Sequence, residues 1–352
     1  MNILFYCQSL DISDPVVGDT VDRVLAISQH PSVKKMFVIS SRGNVVKLSN
    51  KIEHISLNRH ASSRIASFLK LLSSIIKINN KGKIDWIYLY MTPTLAFIFS
   101  ILRPFLKFKI AIWFAHTQFT KWTRFNVMIC SDVWFTVNKA QAIPCKHLKI
   151  IGQGVDLEKF KPQLVSKKWD FITIGRITPV KKIELILESL AILKRRDSII
   201  ATLAICGDSY LPEDIAYKES LILLTKKLEI EDQVLFLGAV SRKDLPDKIN
   251  LSRYFVFTVP GGIGKATMEA MGVGLPMIIA DPKASDFFTK QLADEFIVLP
   301  DVQSISEKMK SFYLLDDKNY QELSTQLRKF TLENFSLESF ADKIVQTLKN
   351  NL

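Results

Sequence analysis

Residues 255–271 read FVFTVPGGIGKATMEAM, an apolar run that leads through a glycine-rich turn into a helical pattern. A continuous run of aromatic and β-branched residues is typical of a strand buried on both faces, as strands are in parallel sheets. Glycines at the turn allow backbone N–H groups to approach a bound phosphate at the start of the next helix. This strand–turn–helix unit therefore favours a parallel α/β fold with an anion site at the end of a strand.

Units of the same kind precede this stretch and follow it, so the whole chain is expected to be α/β. Two series of strands meet at a short linker near Pro162, which predicts two doubly wound domains, residues 1–160 and 161–335. A last helix at about 336–352 is expected to pack back onto the first domain. Ligands bind at the carboxyl ends of parallel strands, so a cleft faced by both domains is the expected site. The predicted strands are residues 2–7, 35–39, 86–91, 110–114, 133–137, 171–174, 201–205, 234–237, 255–259 and 277–280, and the predicted helices include one from about residue 19 and those at 183–195 and 220–228.

The composition is that of an ordinary globular protein. Of the 352 residues, 48% are hydrophobic and 23% are charged, which excludes the disordered and collagen-like classes. The 4 cysteines lie far apart without a CxxC pair, which predicts reduced core residues and neither disulfides nor a zinc site. The longest uncharged run, residues 86–102, has a proline near its middle and is better explained by a strand and a helix than by a membrane span.

The excess positive charge is confined to the first half of the chain. Residues 1–162 hold 22 Lys and Arg against 9 Asp and Glu, whereas residues 163–352 hold 25 against 26. Within the Arg59–Lys83 segment, apolar residues recur at helical spacing with basic residues off that stripe, which predicts a basic amphipathic helix. Such a helix fits an anionic membrane surface, but a core-packed helix with a solvated basic face explains the same pattern. Nucleic acid is disfavoured because the aromatic residues are not interleaved with the basic ones. The stripe consists of Ile65, Phe68, Leu69, Leu72 and Ile76, and the basic residues beside it are Arg64, Lys70 and Lys77.

Three cations follow the strand at residues 171–174, where a helix is predicted to begin: Arg176, Lys181 and Lys182. The N-terminus of a helix favours anions, so cations there are unfavourable unless an anion such as a phosphate lies among them. The alternative is that the lysines are solvated and Arg176 pairs with an acid elsewhere.

The glycine-rich loop at residues 260–265 is not a Walker A motif. Val259 stands where the first glycine of that motif would be, and Ala266 where Ser or Thr would hold magnesium. It is not a dinucleotide fingerprint either, because that motif follows the first strand of its domain. Glu269, on the helix beyond the loop, is suitably placed to accept hydrogen bonds from a ribose diol, or is a carboxylate that favours the helix dipole.

Other catalytic motifs are missing from the sequence. There is no Asp-x-Asp, HExxH or GxSxG, which disfavours a metal-dependent nucleotide-sugar site and a serine hydrolase. We therefore expect no metal and no other cofactor. His116 follows the strand at 110–114, where a cleft-facing role and a structural role are both open.

In this order the motifs resemble those of the retaining glycosyltransferases of family 4, which have the two-domain GT-B architecture. The resemblance runs from about residue 109 to 282. Gly261 departs from it, because the family usually has a second glutamate there that contacts the donor sugar. Lys182 also stands where glycine is usual. The matching motifs are residues 113–116, residues 151–156 with Phe160 and Pro162, residues 174–176 with Lys181, and residues 231–238, 269–271 and 274–276.

The resemblance implies a role for each matching residue. Arg176 and Lys181 would hold the donor diphosphate, Glu269 would bind the ribose hydroxyls, and His116 would lie beside the donor sugar. Gly18, in the first loop, would approach the phosphates. The loop residues Gly262, Ile263, Gly264 and Lys265 would lie against the sugar and the β-phosphate.

The function implied is the transfer of a hexose or an N-acetylhexosamine from a nucleotide-diphosphate sugar, with retention and without a metal. The expected acceptor is lipid-linked or a polysaccharide, as in bacterial surface polysaccharide or lipopolysaccharide synthesis. The expected location is the cytoplasmic face of the membrane, with the anionic membrane surface as a partner. Two alternatives remain open: a GT-B nucleotide-sugar epimerase that needs no acceptor, and a non-catalytic partner that binds sugar nucleotides, for which Gly261 is the main argument.

Overall fold

The computed structural model describes residues 1–11, 18–59, 63–115, 119–137 and 142–352. The chain forms two compact units: unit 1 contains Met1–Gly154 and Phe335–Leu352, and unit 2 contains Val155–Asn334. Each unit has a parallel sheet with helices between its strands. This confirms the predicted α/β class.

The sheet of unit 1 is parallel throughout the described residues, and its strand order reverses beside the first strand. Its strands are β1 (Asn2–Ser9), β2 (Lys35–Arg42), β3 (Ile52–Ser56), β4 (Trp86–Tyr90), β5 (Lys109–Trp113), β6 (Val133–Thr136) and β7 (Leu148–Ile150). They lie in the order β3-β2-β1-β4-β5-β6-β7. The loops after β1 and β4 therefore lead away in opposite directions, which opens a crevice at the carboxyl edge of the sheet. The helices that follow these strands are α1 (Thr20–Gln29), α2 (Arg64–Lys81), α3 (Ala96–Leu106) and α4 (Lys121–Ile129).

The predicted stripe of α2 faces outward. Ile65 is 73% exposed and Leu69 is 59% exposed, whereas Leu71 and Ile75 are buried against the sheet. The small buried side chains of Ser67 and Ser74 share the inner face, so this face is the one that can approach the sheet closely. The stripe is therefore not the face that packs on the core, but α2 does pack on the core through its other face and its basic residues are exposed, as the core-packed alternative expects.

The long uncharged run at 86–102 consists of β4, a short 3₁₀ turn at Pro93–Leu95 and the start of α3. Within the described residues, no helix has the length and apolarity needed to cross a bilayer.

Unit 2 has a shorter parallel sheet with the same reversal. Its strands are β8 (Trp169–Ile174), β9 (Leu203–Cys206), β10 (Val234–Gly238), β11 (Ser252–Phe257) and β12 (Met277–Ile279). They lie in the order β10-β9-β8-β11-β12, so the reversal falls between β8 and β11. Its helices are α5 (Ile183–Asp197), α6 (Pro212–Lys227), α7 (Leu245–Asn250), α8 (Lys265–Val273), α9 (Lys290–Phe296), α10 (Val302–Tyr313) and α11 (Asp317–Phe335).

The last helix, α12 (Leu337–Asn350), packs on α1 within unit 1. His30 Nε2 lies 3.1 Å from a carboxylate oxygen of Asp342, and the guanidinium of the buried Arg23 lies 4.8 Å from the ring centroid of Phe340. Ser336 caps the helix by accepting a hydrogen bond from the backbone N–H of Ser339 at 3.1 Å.

The segment at Val155–Phe160 belongs to unit 2, although the sequence analysis puts the boundary after residue 160. Arg328, on α11, donates hydrogen bonds to the carbonyl oxygens of Leu157 and Phe160, each at 2.9 Å. These contacts attach the segment to the helix that ends unit 2.

Several element boundaries differ from the sequence expectation. The edge strands β3 and β7 are not among the predicted strands, because β3 is only half-buried and alternates in pattern, and β7 is short. The helix expected at 220–228 begins at Pro212, in the first-turn position that proline favours.

Candidate functional site

The carboxyl ends of β8 and β9 approach each other through two glycines. Gly175 has φ +138° and Gly207 has φ +148°. A Cβ atom at Gly207 would lie 1.9 Å from the carbonyl oxygen of Gly175. Only glycine fits there, because the neighbouring atom belongs to the backbone and cannot rotate away. Gly207, which the sequence analysis did not single out, thus sets the position of the loop that carries Arg176.

Lys181 folds back over the end of β8. Its ammonium group is so close to Gly175 that a Cβ atom there would lie 2.8 Å from Nζ. The same nitrogen lies 5.6 Å from the ring centroid of Phe257 on β11. The hydroxyl of Thr258 donates to the carbonyl oxygen of Lys181 at 2.5 Å. Contacts from β8 and β11 therefore hold Lys181 at the point where the strand order reverses, which is where doubly wound sheets bind ligands.

Lys182 adopts the left-handed conformation, with φ +48°, and precedes α5 as its N-cap. Glycine is the usual residue at such a position because it has no Cβ to clash with the carbonyl group. This explains why the related motif normally has glycine here.

Arg176 and Lys181 form a pair of cations without an acidic partner. Arg176 is exposed and Lys181 is half-buried, and neither forms an ion pair with any carboxylate of the described residues. Burial and the positive charge of Arg176 lower the pKa of Lys181 to about 8. The alternative in which Arg176 pairs with an acid is therefore wrong within the described residues. Two neighbouring cations at the end of a strand can stabilise a phosphate or diphosphate.

The glycine-rich loop is held in place by Asp281. Its carboxylate accepts hydrogen bonds from the backbone N–H groups of Gly261 at 2.8 Å and of Gly262 at 2.6 Å. Both glycines have positive φ, +107° and +98°. Asp281 follows β12 and is only 6% exposed. The sequence analysis missed it, since nothing near Asp281 in the chain indicates a contact with a loop 20 residues earlier.

The backbone N–H of Gly262 is thus already bonded, and the predicted role of the loop in donor binding depends on Ile263, Gly264 and Lys265. Ile263 is buried, Gly264 is the N-cap of α8, and Lys265 is the first residue of that helix. At Gly261 a Cβ atom would have no described neighbour within 4 Å. Space is therefore available where the related motif has glutamate, but the backbone conformation favours glycine.

Glu269 lies on α8 and forms a buried ion pair. Its side chain is 3% exposed, and one carboxylate oxygen lies 2.7 Å from a terminal guanidinium nitrogen of Arg242 and 3.8 Å from Nζ of Lys265. Arg242 follows β10, and its guanidinium lies 5.5 Å from the ring centroid of Phe160. The carboxylate is therefore fixed in direction, as a group that accepts hydrogen bonds from a diol must be.

Arg242 is the second residue that the sequence analysis missed. It is separated from Glu269 by 27 positions, but both lie beyond strand ends of one sheet. The rule that places ligands at the carboxyl ends of parallel strands was the signal that could have drawn attention to it.

The sequence analysis also predicts two site residues in unit 1, His116 and Gly18. His116 lies outside the described residues, directly after their range ends at Ala115. Gly18 is buried and lies just before α1. The structure thus brings together Arg176 with Lys181, and Glu269 with Lys265, and those pairs make up the candidate site of unit 2. Within the described ranges, no group of three or more His, Cys, Asp or Glu side chains is arranged to hold a metal.

Solved structures of the GT-B fold have the same architecture. The Anabaena protein HepE in complex with UDP superposes with a TM-score of 0.77 at 16% identity, covering 99% of this chain and 100% of HepE. Sucrose-phosphate synthase from Thermosynechococcus elongatus also gives a TM-score of 0.77, at 14% identity, covering 99% of this chain and 98% of the synthase. The fold of this chain is therefore GT-B.

The sequence profile of the family described as "Glycosyl transferases group 1" matches residues 155–331. This chain belongs to that family. It is 27% identical over 237 residues to the UDP-Gal:alpha-D-GlcNAc-diphosphoundecaprenol alpha-1,3-galactosyltransferase of Escherichia coli, a match that covers 63% of this chain and 59% of the galactosyltransferase. The chain thus spans about three fifths of the length of that curated relative.

Proposed function

We propose that this chain transfers a hexose or an N-acetylhexosamine from a nucleotide-diphosphate sugar to a lipid-linked or polysaccharide acceptor, as a retaining, metal-independent enzyme of family 4. The observation that carries the proposal is the pair Arg176 and Lys181, two cations without an acidic partner among the described residues, held where the strand order reverses. The buried Glu269 on the neighbouring helix supplies an acceptor for ribose hydroxyls.

In this reaction the bond between the anomeric carbon and the diphosphate oxygen breaks, and the acceptor oxygen forms a new bond to that carbon. The proton of the acceptor hydroxyl passes to a phosphate oxygen of the departing nucleotide diphosphate. Arg176 and Lys181 stabilise the negative charge that develops on the diphosphate, the task that a metal performs in other enzymes. Attack on the face from which the nucleotide departs retains the configuration.

The proposed acceptor is supported by the exposed apolar surface of unit 1. On α2, Ile65 is 73% exposed, Leu69 is 59% exposed and Ile76 is 49% exposed. The basic residues Lys70 and Lys77 lie exposed on the same helix. An apolar helix face flanked by cations fits the interface of an anionic bilayer.

A second apolar surface lies on α3 and α4. The rings of Phe97, Trp122 and Phe125 form a cluster with centroids 5.3 to 6.2 Å apart. Each of the three is more than a third exposed, and Phe105 is 79% exposed. An exposed apolar cluster of this kind is typical of surfaces that contact a membrane or another protein, and the indole of Trp122 suits the level of the lipid headgroups. A lipid-linked acceptor at the cytoplasmic membrane face, as in surface polysaccharide or lipopolysaccharide synthesis, accounts for both surfaces, and the E. coli relative is named for a lipid-linked acceptor.

The test is direct incubation with a panel of nucleotide-diphosphate sugars, each with and without an extract of membrane lipids, in the presence of a chelator and then with added magnesium or manganese. We expect transfer of the sugar into the lipid fraction for one donor, unaffected by the chelator. Interconversion of the donor without lipid would instead identify an epimerase. Binding of a nucleotide sugar without any turnover would identify a non-catalytic partner, and loss of transfer with the chelator would contradict the metal-independent mechanism.

A further inference from the structure

Unit 1 contains a cavity of about 630 Å³ at the carboxyl edge of its sheet. Tyr6 on β1, Ser41 on β2 and Thr92 after β4 contribute to its wall. The strand order reverses between β1 and β4, so the cavity occupies the position at which this kind of sheet binds ligands. Its lining residues belong to unit 1, whereas Arg176 and Lys181 belong to unit 2.

Three arginines line the cavity: Arg42 at the end of β2, Arg59 after β3, and Arg64 at the start of α2. No Asp or Glu is among its described lining residues. Arg59 and Arg64 are exposed, and neither forms an ion pair with a described carboxylate. Arg64 also lies in the first turn of α2, which contains no acidic residue, although a helix N-terminus favours negative charge. A cavity whose described lining contains several guanidinium groups and no carboxylate is suited to a phosphate or diphosphate.

Neutral donors lie on the same wall. The hydroxyl groups of Tyr6 and Ser41 are hydrogen-bonded at 2.7 Å. Burial raises the pKa of Tyr6, while Ser41 and Arg59 oppose that shift. The phenol therefore stays protonated at neutral pH, and a hydroxyl that adds no negative charge is compatible with an anionic ligand.

The cavity is flanked in sequence by the exposed apolar residues. Arg64 in the wall precedes Ile65, which is 73% exposed, and Thr123 in the wall follows Trp122, which is 46% exposed. Two helices thus each contribute a residue to the cavity and, next to it, an apolar side chain to the surface. A molecule with an anionic group and an apolar chain matches this arrangement.

We infer that this cavity binds the phosphate or diphosphate group of the sugar acceptor through Arg42, Arg59 and Arg64, with a lipid diphosphate favoured over a soluble phosphorylated sugar. The inference extends the proposed function. It rests on that function only where it identifies the bound ligand as the sugar acceptor.

The test is a binding measurement by titration calorimetry on the full chain, which requires no turnover. All variants carry Arg176→Ala and Lys181→Ala, so that a diphosphate cannot bind at those cations. The probes are geranylgeranyl diphosphate, geranylgeraniol as its neutral counterpart, and glucose 6-phosphate as a soluble phosphate. The cavity variant adds Arg59→Gln and Arg64→Gln, both at exposed positions. Its matched control adds Lys34→Gln and Lys83→Gln, which remove the same charge at exposed positions before β2 and β4, at the opposite edge of the sheet.

We expect geranylgeranyl diphosphate to bind with roughly 10²-fold lower affinity to the cavity variant than to the control, because two charge-assisted hydrogen-bond donors are lost. Geranylgeraniol should bind far more weakly than the diphosphate. Glucose 6-phosphate binding with the same dependence on the arginines would support the phosphate site and identify a soluble acceptor as its source. Equal affinity of the two variants, equal binding of the diphosphate and the alcohol, or no binding of either phosphate probe would overturn the inference. A failure of sugar transfer in the donor panel would leave this result unaffected, so the two proposals fail separately.

Discussion

The two units each hold cations at the carboxyl edge of a parallel sheet, but they hold them differently. In unit 2, Lys181 is half-buried, and contacts from Gly175, Phe257 and Thr258 fix its position. In unit 1, Arg59 and Arg64 are exposed around an open cavity. Partial burial of a cation costs desolvation free energy but fixes the position of the charge. Exposed arginines keep their hydration and can adapt to ligands of different size. This difference fits the proposed donor site in unit 2, which must stabilise a transition state, and the proposed acceptor site in unit 1, which mainly binds its ligand.

The largest effect is expected from breaking the buried ion pair between Arg242 and Glu269 in unit 2. Arg242→Ala leaves the carboxylate of Glu269 buried without its closest partner, which should lower the free energy of unfolding by about 3–5 kcal/mol. Chemical denaturation of the wild type and the variant measures it. The double variant Arg242→Met/Glu269→Met removes both charges and should recover most of the loss. Equal stability of the single variant and the wild type would mean that unit 2 does not depend on this pair.

The next effect compares the two cation sites in catalysis. Arg176→Ala and Lys181→Ala should each lower turnover roughly 10²–10³-fold, because each removes a charge-assisted contact made mainly in the transition state. Arg59→Gln should act chiefly on the KM for the acceptor. Steady-state kinetics with the donor and the acceptor varied in turn separates these outcomes. Near-parental rates for both alanine variants, in folded protein, would rule out the donor-site assignment.

A smaller effect is expected at the membrane. Lys77 on α2 and Arg124 on α4 are both exposed. Lys77→Glu/Arg124→Glu should weaken sedimentation with anionic vesicles by more than tenfold, since each basic residue near the membrane contributes about 1 kcal/mol. Its matched control is Lys226→Glu/Lys227→Glu, the same charge change at exposed positions on α6 of unit 2.

Ile65→Ser/Leu69→Ser tests the apolar face of α2 and should also weaken binding, without loss of stability, because both side chains are largely exposed. Binding of the wild type should decrease with salt. If the control on α6 loses as much binding as the variant of unit 1, the contrast between the units does not extend to the membrane.

The smallest effect is a pH dependence. Lys181 must be protonated to stabilise a diphosphate, and its pKa is about 8. The value of kcat/KM for the donor should therefore fall about tenfold between pH 7 and pH 9, since that parameter reports the free enzyme. Lys181→Arg should remove the decline, because a guanidinium stays charged.

Stability should change in the opposite direction over the alkaline range. The pKa of Lys181 is lower in the folded protein than its ordinary value of 10.5, so the unfolded chain binds more protons between about pH 8 and pH 10.5. The contribution of Lys181 to stability therefore rises with pH in that window.

A decline in kcat/KM that persists in Lys181→Arg would assign the pH dependence to another group.

Much of unit 2 could be predicted from the sequence. The run Phe255–Val259, the glycines after it and the helix with Glu269 carry signals that are local in the chain, and the structure has a strand, a turn and a helix there. The same holds for Lys182. It stands where the related motif usually has glycine, and its backbone is left-handed. Local patterns of this kind reflect backbone conformation and burial, which neighbouring residues largely determine.

The direction of the α2 stripe could not be predicted in this way. Helical periodicity distinguishes the faces of a helix, but the apolar residues of α2 lie on two faces, one with Ile65 and Leu69 and one with Leu71 and Ile75. Which of these faces meets the sheet depends on how closely the helix can approach, and Ser67 and Ser74 decide that.

The sequence by itself determined the α/β class, the order of the strands along the chain, the basic character of the first half, and Arg176, Lys181 and Glu269 as candidates. Only the tertiary structure decided the partners: Arg242 for Glu269, Asp281 for the glycine-rich loop, Gly207 for Gly175, and three arginines around one cavity. The reason is physical. Strand and helix signals act over a few residues, whereas these contacts join segments that meet only because parallel strands deliver their loops to the same edge of a sheet.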